Sequence, residues 1–116
     1  MLEHIINILK LDNFGIGQMP EQDNFSVINY SGGQNPIIAF NGQVIARRPG
    51  FQIRVRNVSF NEALKTCEDC IKILNLYHDE YLKSIRLIGD INNVGRDEKN
   101  RYEFTLNFET IVMEVK

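Results

Sequence analysis

An α+β fold is what this 116-residue chain predicts, and three observations carry the prediction. Phe51, Ile53 and Val55 alternate with Gln52, Arg54 and Arg56, the two-residue period of a strand with one buried face. Ser59 followed three positions later by Glu62 is a capping-box signature, and an apolar stripe with helical spacing follows it. Tyr102, Phe104, Leu106 and Phe108 then alternate with Glu103, Thr105, Asn107 and Glu109. From Phe51 to Val115 the order is therefore strand, helix, strand, long strand.

Leu2, Ile5, Ile6 and Leu9 recur at helical spacing, so residues 1–11 predict a short amphipathic helix. Asp12 to Gly17 holds turn formers and glycines that stop it, and Gln18 to Asn24, with Pro20, reads as loop. Phe25 to Tyr30 predicts a strand ended by Ser31-Gly32-Gly33, so both Gly15-Ile16-Gly17 and Gly32-Gly33 read as turns. Gln34 to Gly50 is punctuated by Pro36, Gly42, Pro49 and Gly50, leaving Ile37–Phe40 and Gln43–Ala46 as short extended pieces. In the capped helix, Phe60, Ala63, Leu64, Cys67, Cys70, Ile71 and Leu74 form one stripe, running to about Leu76. Glu62, Lys65, Glu68, Asp69 and Lys72 form the solvated face. Ser84–Asn92 predicts the next strand, and Asn93–Asn100 a charged turn with a glycine. In the last strand Ile111, Met113 and Val115 are odd-numbered, out of phase with the even-numbered set before them. That slip predicts a bulge or bend near Glu109-Thr110.

The length suits one domain, residues 1–116, able to bury roughly two-thirds of its unfolded surface without a staple. A net charge of -2 argues against general affinity for polyanions. Apolar runs of four residues or fewer are far short of a membrane span, and no secretory signal is visible. These features predict a chain kept in a cytoplasm-like compartment until assembly, with no membrane partner.

The candidate chemistry is thin. Cys67-Glu68-Asp69-Cys70 has the C-x-x-C spacing, yet both sulfurs sit mid-helix on the apolar stripe and no second pair completes a metal site. Small buried apolar residues are the favoured reading. His4 and His78 show neither ligand nor triad spacing, and each reads as a surface residue. No phosphate-binding loop is present, and no carboxylate pair stands out for acid–base work. The sequence predicts no enzyme and no cofactor. Arg47, Arg48, Arg54 and Arg56 concentrate positive charge. They predict either a patch for an acidic partner or nucleic acid, or pairing of Arg54 and Arg56 across the sheet with Glu103 or Glu109. Arg96-Asp97-Glu98-Lys99 reads as a solvated hairpin tip.

Pro49-Gly50-Phe51-Gln52-Ile53-Arg54-Val55-Arg56, the helix start Phe60-Asn61-Glu62-Ala63, and the run Gly95-Arg96-Asp97-Glu98-Lys99-Asn100-Arg101-Tyr102-Glu103-Phe104 resemble phage minor capsid proteins. These are small proteins of long-tailed phages and prophages, similar to tail terminators. Gly17-Gln18-Met19-Pro20 and Ile28-Asn29-Tyr30-Ser31-Gly32-Gly33 extend the resemblance upstream. It implies an antiparallel sheet of about four strands with two helices packed on one face. It implies a hexameric ring that caps the tail tube, stops its polymerisation and offers its other face to a head completion or connector protein. Tail tube protein and that connector are the implied partners, with DNA only as passing cargo. The location implied is the head–tail junction of the virion, after assembly in the host cytoplasm. The Arg96-Asp97 turn and the strand bearing Arg54 and Arg56 match the best-marked positions of the family.

Candidate subunit or partner contacts are thus Arg47, Arg54, Arg56, Arg96, Asp97 and Arg101. A ring closes through two different complementary patches. The basic stretch Arg47–Arg56 and the acidic surface Glu62–Glu80 offer opposite signs for that purpose. The alternative function is a small nucleic-acid-binding or regulatory module that uses the Arg47–Arg56 patch, which a steep salt dependence of DNA binding would mark.

Overall fold

The computed structural model describes residues 1–113, so Val115, the last of the odd-numbered apolar set, lies outside the described residues. Helix α1 (Leu2–Leu9) is followed by strands β1 (Phe14–Ile16), β2 (Phe25–Ile38) and β3 (Val44–Asn57). Helix α2 (Phe60–Leu74) leads to strands β4 (Leu82–Arg96) and β5 (Tyr102–Met113). The five strands form one sheet in the order β1-β2-β3-β5-β4, antiparallel except for the parallel β1–β2 pair. The α+β class and the two helices agree with expectation, whereas the sheet gains a fifth strand. Gly15-Ile16-Gly17 does not simply turn, because Phe14, Gly15 and Ile16 pair with Ser26, Val27 and Ile28.

One face of the sheet carries the core. Phe51, Ile53 and Val55 of β3 stand level with Phe108, Leu106 and Phe104 of β5, and all six are buried. Phe51 and Phe108 stack with ring centroids 5.0 Å apart. Leu2, Ile5 and Leu9 of α1 and Ala63, Cys67, Cys70 and Leu74 of α2 close over this face, with Leu82 and Ile85 of β4. Each fully buried side chain of Leu, Ile or Phe contributes about 1.5–3 kcal/mol, so this layer is the main source of stability.

α2 begins at Ser59 as predicted, its Oγ accepting from Glu62 N at 3.3 Å. The reciprocal half of the capping box is taken by another residue, since Ser59 N donates to Asn57 Oδ1 at 2.9 Å. The helix ends at Leu74, two residues early, because Asn75 turns to extended backbone at ψ 123°, and Leu76 then adopts a positive φ of 69°. Both cysteines are fully buried, and burial pushes each thiol up to about 12, as suits small core residues.

The expected bulge in β5 is corrected. β5 keeps one register with β3 from Tyr102 opposite Asn57 to Met113 opposite Ala46. Thr110 stays in the buried phase at 2% exposure, its hydroxyl donating to Pro49 O at 2.7 Å, and buried Val112 follows it. A satisfied hydroxyl thus holds a core position that hydrophobicity alone assigns to solvent. The register shifts fall in the neighbouring β4 instead, between Leu82 and Ser84, Ile88 and Asn92, and Asn93 and Gly95.

The largest departure lies between Tyr30 and Pro49. Gly32-Gly33 does not end β2 but forms an irregularity inside it, between Tyr30 and Gly33. β2 then continues to Ile38, and the two short extended pieces become the end of β2 and the start of β3. The strands of this hairpin have 14 residues each. At about 3.4 Å per residue such a strand spans about 48 Å, which accounts for the long dimension of a molecule measuring 53 × 23 × 23 Å. Ala39–Gln43 makes the turn: Ala39 N donates to Gln43 O, Gly42 N to Ala39 O, and Asn41 Oδ1 accepts from Gln43 N. From Asn29 to Ile38 every residue is exposed, because neither helix reaches this half of β2 and, among the described residues, no strand lies outside it.

Candidate functional site

The face of the sheet away from the helices is polar. Gln52, Arg54 and Arg56 stand level there with Asn107, Thr105 and Glu103. Gln52 Nε2 donates to Asn107 Oδ1 at 3.1 Å, and Arg86 pairs with Glu109. Arg54 Nε donates to Glu103 Oε1 at 3.1 Å, and Arg56 Nε to Glu103 Oε2 at 3.3 Å. Of the two carboxylates named from sequence, Glu103 is the one that pairs with these arginines.

The network continues into the loop before β2. Arg56 Nη1 donates to Pro20 O at 2.8 Å, and its Nε lies 3.8 Å from Asp97 Oδ2. Arg101 Nε donates to Asp97 Oδ2 at 2.7 Å, while its Nη1 donates to Glu21 O at 3.1 Å and lies 3.6 Å from Asp23 Oδ1. Arg56, Arg101 and Glu103 are buried. The N–H of Arg101 is the main cause that holds the Asp97 carboxyl below its ordinary pKa. Asp97 also accepts from Lys99 N, so the predicted hairpin tip is a side-chain-capped turn in which Arg96, Glu98, Lys99 and Asn100 are solvated and Asp97 is half-buried.

The fold thus gathers Arg54, Arg56, Arg96, Asp97 and Arg101 around one shallow cleft. Arg96 stays exposed, its guanidinium 5.7 Å from the centroid of the Tyr102 ring. Arg47 does not join them. It is exposed at the opposite end of β3, level with Val112. Arg56 and Arg101 face inward and clamp the 20–23 loop to the sheet, which leaves Arg47, Arg96 and the outer part of Arg54 accessible. Reversing the charge at Arg54 would therefore also set a carboxylate against Glu103.

A second cluster ties α1 to the segment before β4. His4 Nε2 lies 2.7 Å from Asp79 Oδ2, and Tyr77 Oη donates to the same oxygen at 3.0 Å. His4 also meets the Tyr81 ring edge-on, so it is a half-buried tie, in contrast to the exposed His78. Burial alone would raise the Asp79 pKa. Hydrogen bonds from Leu82 N, His4, Tyr77 and Tyr81 N outweigh it and lower the value from 3.8 to about 2. A depressed folded-state pKa contributes stability above the unfolded value that is lost as pH falls through the folded one. Stability is therefore expected to decline between about pH 4 and pH 2, within the window set by these two values. Asp79→Asn should flatten that part of an acid-unfolding profile and cost about 2 kcal/mol at neutral pH, as for hydrogen bonds to a charged group.

Sequence reasoning missed the exposed apolar end of the β2–β3 hairpin. Phe40 is 113% exposed and Ile38 55%, with Ile37 and Ile45 beside them also exposed. Asn41-Gly42 is the strongest short hairpin signal a sequence can carry, and it marks this turn. Leu76 and Ile88 are exposed on the other side of the molecule. Among the described residues no cluster of His, Cys, Asp and Glu is placed to hold a metal.

No curated protein sequence matches the chain. In fold it is similar to a chain from a solved structure described as the virion of a native gene transfer agent particle. The TM-score is 0.60 at 12% identity, over 95% of this chain and 84% of that one. At that identity the likeness concerns the fold. A family model described as bacteriophage tail terminator protein matches residues 7–113, nearly the whole polypeptide and every strand of the sheet. The chain belongs to the bacteriophage tail terminator family.

Proposed function

We propose that this protein caps the tail tube of a long-tailed phage or prophage, stops its polymerisation and forms the surface to which the head joins. Family membership carries the coarser part, a structural phage protein of the virion. The finer part rests on the molecule's division into unlike surfaces. A polar sheet face, a charged α2 face of mixed sign and an exposed apolar hairpin end lie on one subunit. A heterologous ring with two different ends needs such unlike surfaces. Six copies around a channel, with tail tube protein on one side and a head completion or connector protein on the other, is the arrangement we favour. DNA would then be cargo passing through. The exposed cations Arg47 and Arg96, with the outer part of Arg54, are proposed partner contacts, whereas Arg56, Asp97 and Arg101 would act by holding that surface in shape.

The observation that carries this reading is the family match across residues 7–113. Deleting the gene from the phage genome tests it. Filled heads without tails, together with tails of abnormal length, are expected, and complementation should restore both. Tails of normal length would show that the protein serves elsewhere in the neck.

A further inference from the structure

The outer edges of the sheet are only half covered, in a complementary way. On β2, β1 pairs with Ser26–Ile28 and Gly17 N donates to Ile28 O, whereas among the described residues no strand lies outside Tyr30–Ile38. On β4, Leu76 N donates to Ile85 O, Asp79 N to Leu82 O, and Asn75 Oδ1 accepts from Leu87 N. Among the described residues no strand lies outside Ile88–Arg96 either. The two open stretches have the same length, nine residues.

Their directions also match. β2, β3, β5 and β4 alternate in direction across the sheet. A second copy set beside the first in the same orientation therefore brings its β2 antiparallel to β4. Long open edges invite pairing, and proteins that leave them open commonly guard them. Here Asp90 accepts from Ile91 N, Asn93 accepts from Gly95 N, and Arg48 Nε donates to Asn35 O. Those side chains occupy some of the edge groups and leave the others open.

The open stretches lie at different heights. Tyr30 stands opposite Phe51 and hence level with Phe108, whereas Arg96 is opposite Tyr102, six β5 residues lower. Joining them shifts each copy by about 20 Å along the strands, at about 3.4 Å per residue, for about 19 Å of sheet width from four strands. That ratio tilts the strands by about 45°, at the upper end of the roughly 35–45° found in closed barrels. Pairing that starts with Tyr30 beside Arg96 also ends with Ile38 beside Ile88. Phe40, 113% exposed, is then carried towards Leu76, 72% exposed, where the covered part of β4 begins. An apolar end thus meets an apolar patch, and each supplies what the other lacks in water.

We propose that the open half of β2 in one copy lies along Ile88–Arg96 of the next, with Phe40 seated against Leu76 and Ile88. The interface is head-to-tail and closes by strand tilt. The proposal rests on the ring assumed above and names the surfaces that form it.

The test uses the full chain. Phe40→Asp changes a side chain wholly outside the core, so its melting curve should match wild type. Its ring formation, followed by sedimentation velocity over a concentration series, should need at least tenfold more protein. Separately, Ile38→Cys and Ile88→Cys proteins are mixed under mild oxidation at the highest concentration reached. A mixed disulfide should form, and neither protein alone should give the same yield. The buried native thiols do not compete. Wild-type assembly by Phe40→Asp, or absence of the mixed disulfide, overturns the proposal. So does a Phe40→Asp protein that still forms rings but no longer joins tails, since its hairpin end would then meet the tube. Tail length in the deletion phage is unaffected by which edges pair, so the two readings can fail separately.

Discussion

Glu103→Ala is expected to destabilise the protein by about 3–5 kcal/mol, the range for breaking a buried ion pair from one side. Glu103 is 5% exposed and is the shared carboxylate of Arg54 and Arg56. Arg54 can turn to water, but Arg56 is buried and would keep its charge with Asp97 at 3.8 Å and the Pro20 carbonyl. Total stability of a domain is only about 5–15 kcal/mol, so this single change should remove a large part of it. Urea denaturation measures the effect. Glu103→Gln, which retains an acceptor of the same shape, should lose less. Equal losses for the two variants would show that shape alone accounts for the position. The 20–23 loop should also become more susceptible to protease in the Ala variant, because Arg56 anchors it.

The other large effect is expected at Gly33, which has a φ of 149°. A Cβ there would lie 2.3 Å from Arg48 O, 2.8 Å from Pro49 Cα and 2.9 Å from Gly50 N. All three are backbone atoms of β3, so no side chain can swing aside to make room. Gly33→Ala should therefore part β2 from β3 at this point, at a cost of about 3 kcal/mol, the upper end for overpacking. That cost corresponds to about a hundredfold faster amide exchange between Gln34 and Ile38. Amides of Leu106 and Phe108 should remain protected. Unchanged exchange beyond Gly33 would mean that β3 yields instead, and global stability would fall in its place.

Local pattern made the second half of the chain legible. β3, α2 and β5 each bury one face, so their period and cap identify them in sequence. Glu103 was also within reach as partner of Arg54 and Arg56, since residues that face each other in a sheet share a side. The same logic failed where burial did not follow hydrophobicity. Ile37, Ile38 and Phe40 are apolar yet exposed, and Thr110 is polar yet buried. β1 has three residues and is held by its pairing with β2, which no periodicity over so short a run can signal. The inward turn of Arg101 depends on the 20–23 loop, some 80 positions away, so only the folded chain reveals it.

The position of β5 has a consequence for when the subunit becomes competent. The last of the described strands is a central strand of the sheet, flanked by β3 and β4, and its Thr110 hydroxyl also lies 3.6 Å from the sulfur of Met1. During synthesis β4 therefore has no neighbour to join it to β3 until the residues up to Met113 have left the ribosome. Contacts between such distant segments form slowly. An incomplete polypeptide can therefore form the β2 edge on the β2–β3 hairpin but cannot set the β4 edge in place across the sheet from it, so pairing of those edges, as proposed, would wait for the finished strand.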